Sequence, residues 1–413
     1  MPLTTTVIIG AGQAGLAMSR CLSERGIEHV VLERGKLAQR WRSHSWDSLH
    51  LLTPNWMTRL PGLQYDGHDR DGFMSVPELI VLLERYAVSS DAPVLTETAV
   101  QSVERSGNGF RVVTNRGVWS ACSVVVATGY CDLPAVPAAS RGLAPSVRQM
   151  VPSDYRRPDQ LPAGGVLVVG ASSTGVQIAD EIQRSGRQVT LAVGRHTRLP
   201  RRHRGRDILW WLDQLGVLSQ GADAVHDIER SRHQPSLQLV GRADHSPLDV
   251  AVLHDRGVRL VGRLLGIDGR RVSLADDLVA TTAAADFKMA EILTRIDQFI
   301  VKTGVAAAPP EPFRPTWPLA SGTSDSLDLK AERIESVIWA TGYRRAYPWL
   351  RVPVCDAHGE IMHHGGITPR SGLYVLGLNF QRRRNSSFID GVGDDARVIA
   401  DHIACSLARV RVA

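Results

Sequence analysis

The sequence predicts an α/β fold with two Rossmann-like dinucleotide-binding domains, the second inserted into the first. Three observations predict it. An apolar run ending in a glycine-rich turn, Val7-Ile8-Ile9-Gly10-Ala11-Gly12-Gln13-Ala14-Gly15, opens the chain. The same arrangement returns at Val166-Leu167-Val168-Val169-Gly170-Ala171-Ser172-Ser173-Thr174-Gly175. The strand end Ala127-Thr128-Gly129-Tyr130 recurs at Ala340-Thr341-Gly342-Tyr343. The resulting division is a first domain over 1–158, an inserted domain over 159–330, and a return to the first over 331–413.

The opening unit is a strand, a turn, a helix with Leu16, Met18, Cys21 and Leu22 facing inward, and a second strand that ends at Glu33. In such a βαβ unit Gly10 permits the tight turn and Gly12 lets backbone approach a pyrophosphate with no Cβ in the way. Gly15 lets the helix pack close to the strand. The helix start at Gln13 and Ala14 offers unpaired N–H groups and a positive dipole end to phosphates. Glu33, followed by Arg34, stands where a carboxylate accepts from both hydroxyls of an unphosphorylated ribose.

Residues 39–55 are dense in Trp, Arg and His and have no clean period. Irregular segments of this length are often functional. Arg40 and Trp41 read as lining for the ring or ribityl part of a large cofactor; the alternative is a packed loop whose tryptophans are core. Ser75 or Val76 caps a helix with Pro77 at its first position and apolar residues at helical spacing to Tyr86. Stretches 100–103, 110–114 and 117–121 alternate as an antiparallel meander. Residues 123–126 form a buried strand running into Thr128 and Gly129, where small residues let backbone come close to a ligand.

Residues 166–195 repeat the first unit, with Ser172 in place of the middle glycine and Arg195, not an acid, assigned to the second strand end. A carboxylate there would repel a ribose 2′-phosphate, whereas a guanidinium pairs with it. The asymmetry points to FAD on the first unit and NADPH on the second. Residues 207–212 are strongly apolar and read as core, with a substrate wall or a partner face as the alternatives. Short strands over 237–275, including 257–263 and 271–274, precede a helix over 283–302 with Met289, Ile292, Leu293, Ile296 and Ile300 on one stripe. Trp56, Met57, Trp210, Trp211 and that stripe read as a pocket wall or as core. Residues 305–325 are a connection, 335–343 the return to the first domain, and 372–377 a strand. The last helix starts near Gly391, its N-terminus placed to meet a cofactor's polar edge.

Apolar residues make up 43% and charged residues 22% of the 413, the balance of a globular chain. Five cysteines without a CxxC exclude a dithiol relay and fit a reducing compartment. The N-terminus lacks the pattern of a secretory leader, and no apolar run reaches ~18 residues. A cytoplasmic chain with no membrane span is expected. The net charge of +6 gathers in residues 195–206. A solvated face and a dinucleotide-phosphate site compete for that segment. A nucleic-acid patch ranks last, because no aromatic interleaving accompanies the charge. The histidines lack ligand spacing with carboxylates, so no metal is expected.

The two βαβ units, the two Ala-Thr-Gly ends and the Trp/His-rich loop resemble the two-dinucleotide flavoproteins. More narrowly they resemble the class B flavin-dependent monooxygenases, which include the flavin-containing monooxygenases and the plant auxin-forming enzymes. Leu32-Glu33-Arg34, Arg40-Trp41-Arg42, Trp46-Asp47-Ser48-Leu49-His50-Leu51 and Leu60-Pro61-Gly62 carry the local match. The run 383–396 is similar to a bacterial branch often described as flavoproteins linked to potassium transport. The resemblance implies an enzyme that uses FAD, NADPH and O2, forms a C4a-hydroperoxyflavin and passes one oxygen atom to a small organic substrate. It implies FAD contacts at Gly10, Gly12, Gly15, Glu33, Arg40, Trp41, Trp46, His50, Val100, Thr128 and Gly129. It implies NADPH contacts at Gly170, Ser172, Ser173, Thr174, Gly175 and Arg195, with Thr341 and Gly342 at the second strand end. Asn55 and His50 are the candidate catalytic side chains. The family fingerprint keeps Tyr155-Arg156, but Pro145, Val147 and Val151 stand where Phe, Gly and His are usual, and Leu52 falls nearest the place of a flavin-facing asparagine. A flavoprotein reductase or oxidase, or a redox sensor linked to a transporter, are the competing readings. The oligomeric state is open, with a homodimer among the options.

Overall fold

The computed structural model describes residues 2–312, 314–316 and 325–412. In the first sheet β1 (Leu3–Ile9) lies between β2 (His29–Leu32), which pairs in turn with β3 (Val94–Leu95), and a meander. The meander is β4 (Val100–Ser106), β5 (Gly109–Thr114) and β6 (Gly117–Val126), and its last strand closes on β1 in parallel. The expected stretches 117–121 and 123–126 are therefore one continuous strand. Helix α1 (Gln13–Ser23) follows the first glycine turn, and α2 (Val76–Ser89) begins with a capping box of Ser75 and Glu78.

Parallel strands are covered on both faces and read as unbroken apolar runs. Alternation still sorts them. Ile8, Val31 and Val125 pack with Leu16, Met18, Leu79 and Leu83 of the two helices. Val7, Ile9, Val30, Leu32, Val124 and Val126 pack on the other face against Val103, Phe110 and Val112 of the meander.

The chain leaves on β7 (Leu133–Pro134) and builds a second, all-parallel sheet. Its strands are β8 (Arg148–Met150), β9 (Gly165–Val169), β10 (Val189–Ala192), β11 (Arg259–Val261) and β12 (Ile334–Trp339), in the spatial order β8, β12, β9, β10, β11. Helices α3 (Ser173–Arg184), α4 (Ile208–Gln214), α5 (Val250–Asp255) and α6 (Leu278–Thr303) accompany it. The chain returns on β13 (Tyr343–Arg344), adds β14 (Leu373–Val375) beside β6, and ends in α7 (Val392–Val412).

This topology departs from the sequence expectations at three points. β8 and β12 pair with each other, so the boundaries at 158 and 331 fall inside the second unit. The crossings are β7 and β13, which pair antiparallel through Pro134 with Tyr343 and Leu133 with Arg344. The region 237–275 also contains helix α5, capped by the Asp249 side chain accepting from the Val252 N–H at 2.9 Å. α6 starts at Leu278, ahead of the expected 283. Of the connection expected over 305–325, residue 313 and residues 317–324 lie outside the described residues. Among the described residues no helix is long and apolar enough to cross a membrane.

Candidate functional site

Both glycine turns obey the same steric rules. Gly10 has φ +106°, and an added Cβ would lie 2.7 Å from the Ala127 carbonyl oxygen. Gly170 has φ +107°, with the Ala340 carbonyl oxygen at 2.4 Å from the same point. A Cβ on Gly15 would lie 1.8 Å from the Gly10 carbonyl oxygen, and one on Gly175 1.8 Å from that of Gly170. These four positions are closed to any side chain. Gly12 is different, because a Cβ there would meet nothing within 4 Å. Ser172 holds the same extended backbone, φ −78° and ψ −178° against −87° and −172° at Gly12, and its side chain does not cap α3. The open space before Gly12, with the start of α1 behind it, is a cradle that fits a pyrophosphate.

Glu33 is buried beside this turn. Its Oε2 accepts from the Ala11 N–H at 2.9 Å and its Oε1 from the Gly35 N–H at 3.1 Å. Each carboxylate oxygen keeps acceptor capacity for a ribose hydroxyl. The Thr98 N–H donates to the Glu33 carbonyl at 2.8 Å, which brings Val100 to the same strand end. Trp41 Nε1–H donates to Gln13 Oε1 at 3.3 Å. Arg40 pairs with Asp132 at 2.8 Å and donates to the Cys131 carbonyl, just past Thr128 and Gly129. A Cβ on Gly377, beyond β14, would lie 2.9 Å from the Ala14 Cβ, so that strand end abuts the start of α1. Arg34 is exposed. Gln13, Ala14, Glu33, Arg40 and Trp41 thus gather around the first turn, while two of the expected residues find their partners elsewhere.

Trp46 is the first exception. It packs in the second unit's core with Tyr155, Val168 and Ala171, because the loop that carries it is tied to that unit. Arg156 donates to the Ser43 and Ser45 carbonyls, the Asp47 N–H donates to the Arg156 carbonyl at 3.0 Å, and Ser48 Oγ–H donates to Glu181 at 3.0 Å. Tyr155 O–H also reaches Glu181, at 3.2 Å, and burial pushes that carboxyl above its ordinary range. The surviving Tyr155-Arg156 half of the fingerprint is therefore a bracket between the units. The second exception is His50, whose Nδ1 lies 2.9 Å from the Ser48 carbonyl and whose backbone bridges to Ser75 at the start of α2. Asn55 donates from Nδ2 to the Asp69 carbonyl at 2.8 Å. The candidate catalytic pair is held by separate loop partners.

At the second turn the Gly10 and Gly170 N–H groups donate to the Leu32 and Ala192 carbonyls at 2.8 and 3.0 Å. Leu32 and Ala192 are thus equivalent, and the residue in register with Glu33 is Val193. Arg195 lies two residues further on, exposed and without a hydrogen bond or ion pair among the described residues. No carboxylate stands at this strand end, which continues as Val193-Gly194-Arg195. Ser173 Oγ accepts from Gln177 at 2.9 Å, and the half-buried Thr174 follows it on α3. Thr341 O–H donates to the Ala135 carbonyl at 2.8 Å and Ala135 N–H to Gly342 at 2.9 Å, which binds the second Ala-Thr-Gly end into the crossing ribbon. Gln238, which no sequence pattern singled out, donates to the Ala171 carbonyl at 2.6 Å.

The basic segment divides up once folded. Arg198 pairs with Asp249 and Asp286, Arg201 with Asp207, and Arg204 with Asp297, while Arg206 lies over Trp210. Three of its six arginine charges are thus paired with carboxylates from outside the segment. Arg201 is fully buried, donates to the Leu52 carbonyl at 2.8 Å and stacks on Phe73, so it bolts the inserted unit to the first. A second seam is a short ladder: Ala222 N–H to Arg382, Arg384 N–H to Gln220 and Asn385 N–H to Leu218, at 2.7, 3.1 and 3.0 Å. Met57, Trp211, Met289 and Ile296 are buried in one apolar cluster with half-buried Trp56, Trp210 and Phe388, which joins both units. Burial raises the Cys131 and Cys21 thiols to about 11, so neither is a ready thiolate. Among the described residues no group of His, Cys, Asp or Glu is arranged to hold a metal ion.

The sequence profile of the pyridine nucleotide-disulphide oxidoreductase family matches residues 7–212. An oxidoreductase of Geobacillus kaustophilus described as CzcO-like is 30% identical over 404 residues, 97% of this chain and 98% of that protein. The indole-3-pyruvate monooxygenase YUCCA6 of Arabidopsis thaliana is 31% identical over 425 residues, 97% of this chain and 90% of that one. The chain belongs to the flavin-dependent monooxygenases. A flavin-containing monooxygenase from Stenotrophomonas maltophilia shares the fold of this monooxygenase, with a TM-score of 0.69 at 19% identity, covering 98% of this chain and all of that one. Members of the family use FAD and NADPH. In this monooxygenase the first cleft, with its open Gly12 cradle and buried Glu33, has the form that FAD requires.

Proposed function

We propose that this monooxygenase takes electrons from NADPH on the second unit into FAD on the first, and transfers one atom of O2 to a small organic substrate. The observation that carries the reading is the contrast between the two strand ends. Glu33 offers a buried carboxylate to an unphosphorylated ribose, whereas the second end has buried Val193 and a free Arg195. Bound FAD would supply the hydride-accepting and oxygen-activating chemistry. The chain's residues do the rest. Gly12 and the start of α1 seat the pyrophosphate, and Glu33 fixes the adenosine end. Arg40, held by Asp132, and Trp41, held by Gln13, wall the cleft toward the first Ala-Thr-Gly end. The Arg156 bracket, the Arg201 bolt and the ladder at 382–385 hold the units in one orientation over an apolar cluster that excludes water.

The indole-3-pyruvate monooxygenases among the relatives make 2-oxo acids the first substrates to try, followed by amines, sulfides and ketones. The test is turnover with NADPH under isotopically labelled dioxygen, followed by product mass. One labelled atom in the product supports oxygen transfer. NADPH oxidation that yields only peroxide, across all four classes, favours the oxidase reading.

A further inference from the structure

β10 and β11 run parallel with Ala192 opposite Val261, so their C-terminal extensions emerge side by side. One continues into Val193, Gly194 and Arg195, the other into Gly262 and Arg263. A Cβ on Gly194 would lie 3.9 Å from the Arg263 Cδ. Two guanidinium side chains therefore leave adjacent strand ends at the rim where a βαβ unit carries the 2′ position of an adenosine ribose.

Arg263 is held for a purpose that its own environment does not absorb. The Asp277 carboxylate accepts from the Arg263 N–H at 3.0 Å and from its Nε–H at 3.2 Å. Asp277 is the N-cap residue of α6, yet its side chain makes no cap to that helix. It clamps Arg263 instead. The Arg263 side chain is 59% exposed, and its two terminal nitrogens have no partner among the described residues. Arg195 on the neighbouring extension is likewise unpaired.

We infer that Arg263, positioned by Asp277, is a specificity-determining residue that completes with Arg195 a two-guanidinium site for the 2′-phosphate. The inference rests on the reading that the second cleft takes NADPH. The free edge of each guanidinium donates to phosphate oxygens, a geometry that a lysine does not reproduce. The clamp through Nε leaves that edge oriented before the ligand arrives, which lowers the ordering cost of binding.

The test is calorimetric titration of the FAD-loaded protein with NADP+ and with NAD+, for the wild type, Arg263→Ala and Arg263→Lys. The wild type should bind NADP+ more tightly than NAD+. Arg263→Ala should weaken NADP+ about tenfold and leave NAD+ within about twofold, and Arg263→Lys should recover part of the loss. An Arg263→Ala protein whose NADP+ to NAD+ preference equals the wild type's overturns the inference and leaves the NADPH reading standing. A wild type with no preference overturns the NADPH reading, and the inference with it.

Discussion

Gln238 Nε2–H donates to the Ala171 carbonyl at 2.6 Å from a side chain with no exposure. Glu33 makes the mirror contact in the first unit, accepting from the Ala11 N–H. Each glycine turn is thus tied by one buried side chain at its second residue, through opposite ends of the peptide. Gln238→Leu should keep the fold, since it also removes a buried Oε1 that has no partner. It should weaken NADP+ severalfold and leave FAD content unchanged, as read by titration and by flavin absorbance.

The first turn separates a binding glycine from a folding glycine. Gly15→Ala places a methyl 1.8 Å from the Gly10 carbonyl oxygen and should cost more than about 3 kcal/mol. Gly12→Ala points its methyl into open space, so thermal stability of the apoprotein should hold while FAD affinity drops at least about tenfold. Melting curves with and without added FAD distinguish the two.

Arg201 and Asp207 form a buried pair at 2.6 Å. Arg201→Met strands the carboxylate and cuts the link to Leu52, so it should destabilise by about 3–5 kcal/mol. Adding Asp207→Asn should return part of that loss, as measured by chemical denaturation.

His363 supplies a pH dependence. Burial, then the nearby Arg232, Arg345 and His364, lowers its pKa from 6.5 to about 4, and its Nδ1 accepts from the Gly366 N–H at 3.3 Å. The folded ring stays neutral while the unfolded one takes up a proton near pH 6.5. Stability should therefore fall as pH drops from about 6.5 toward 4, by order 1–3 kcal/mol for this partly exposed group. Above that window the effect vanishes. His363→Gln should remove this part of the acid loss in denaturant titrations at a series of pH values.

Much of the fold and of the first cleft was legible because it is local. Strand, turn, helix and acid fall within one short stretch, and Ser75 with Glu78 announces its helix by spacing alone. The rest depends on pairings distant in sequence. β8 and β12 look like parts of the first domain until they pair with each other. Trp46 looks like a cofactor contact until Arg156 draws its loop toward the second core. Arg195 looked like the counterpart of Glu33 because strand ends cannot be counted without the ladder, which puts Val193 there. Gln238 and Arg263 carried no signal, since each acquires its role only from a neighbouring strand or turn.

The most direct test is anaerobic titration of the purified yellow protein with NADPH and with NADH, followed by flavin absorbance. The expected result is bound FAD that NADPH bleaches at far lower concentration than NADH. A protein that retains no flavin, or a flavin that NADPH leaves oxidised, would contradict the assignment of the two clefts.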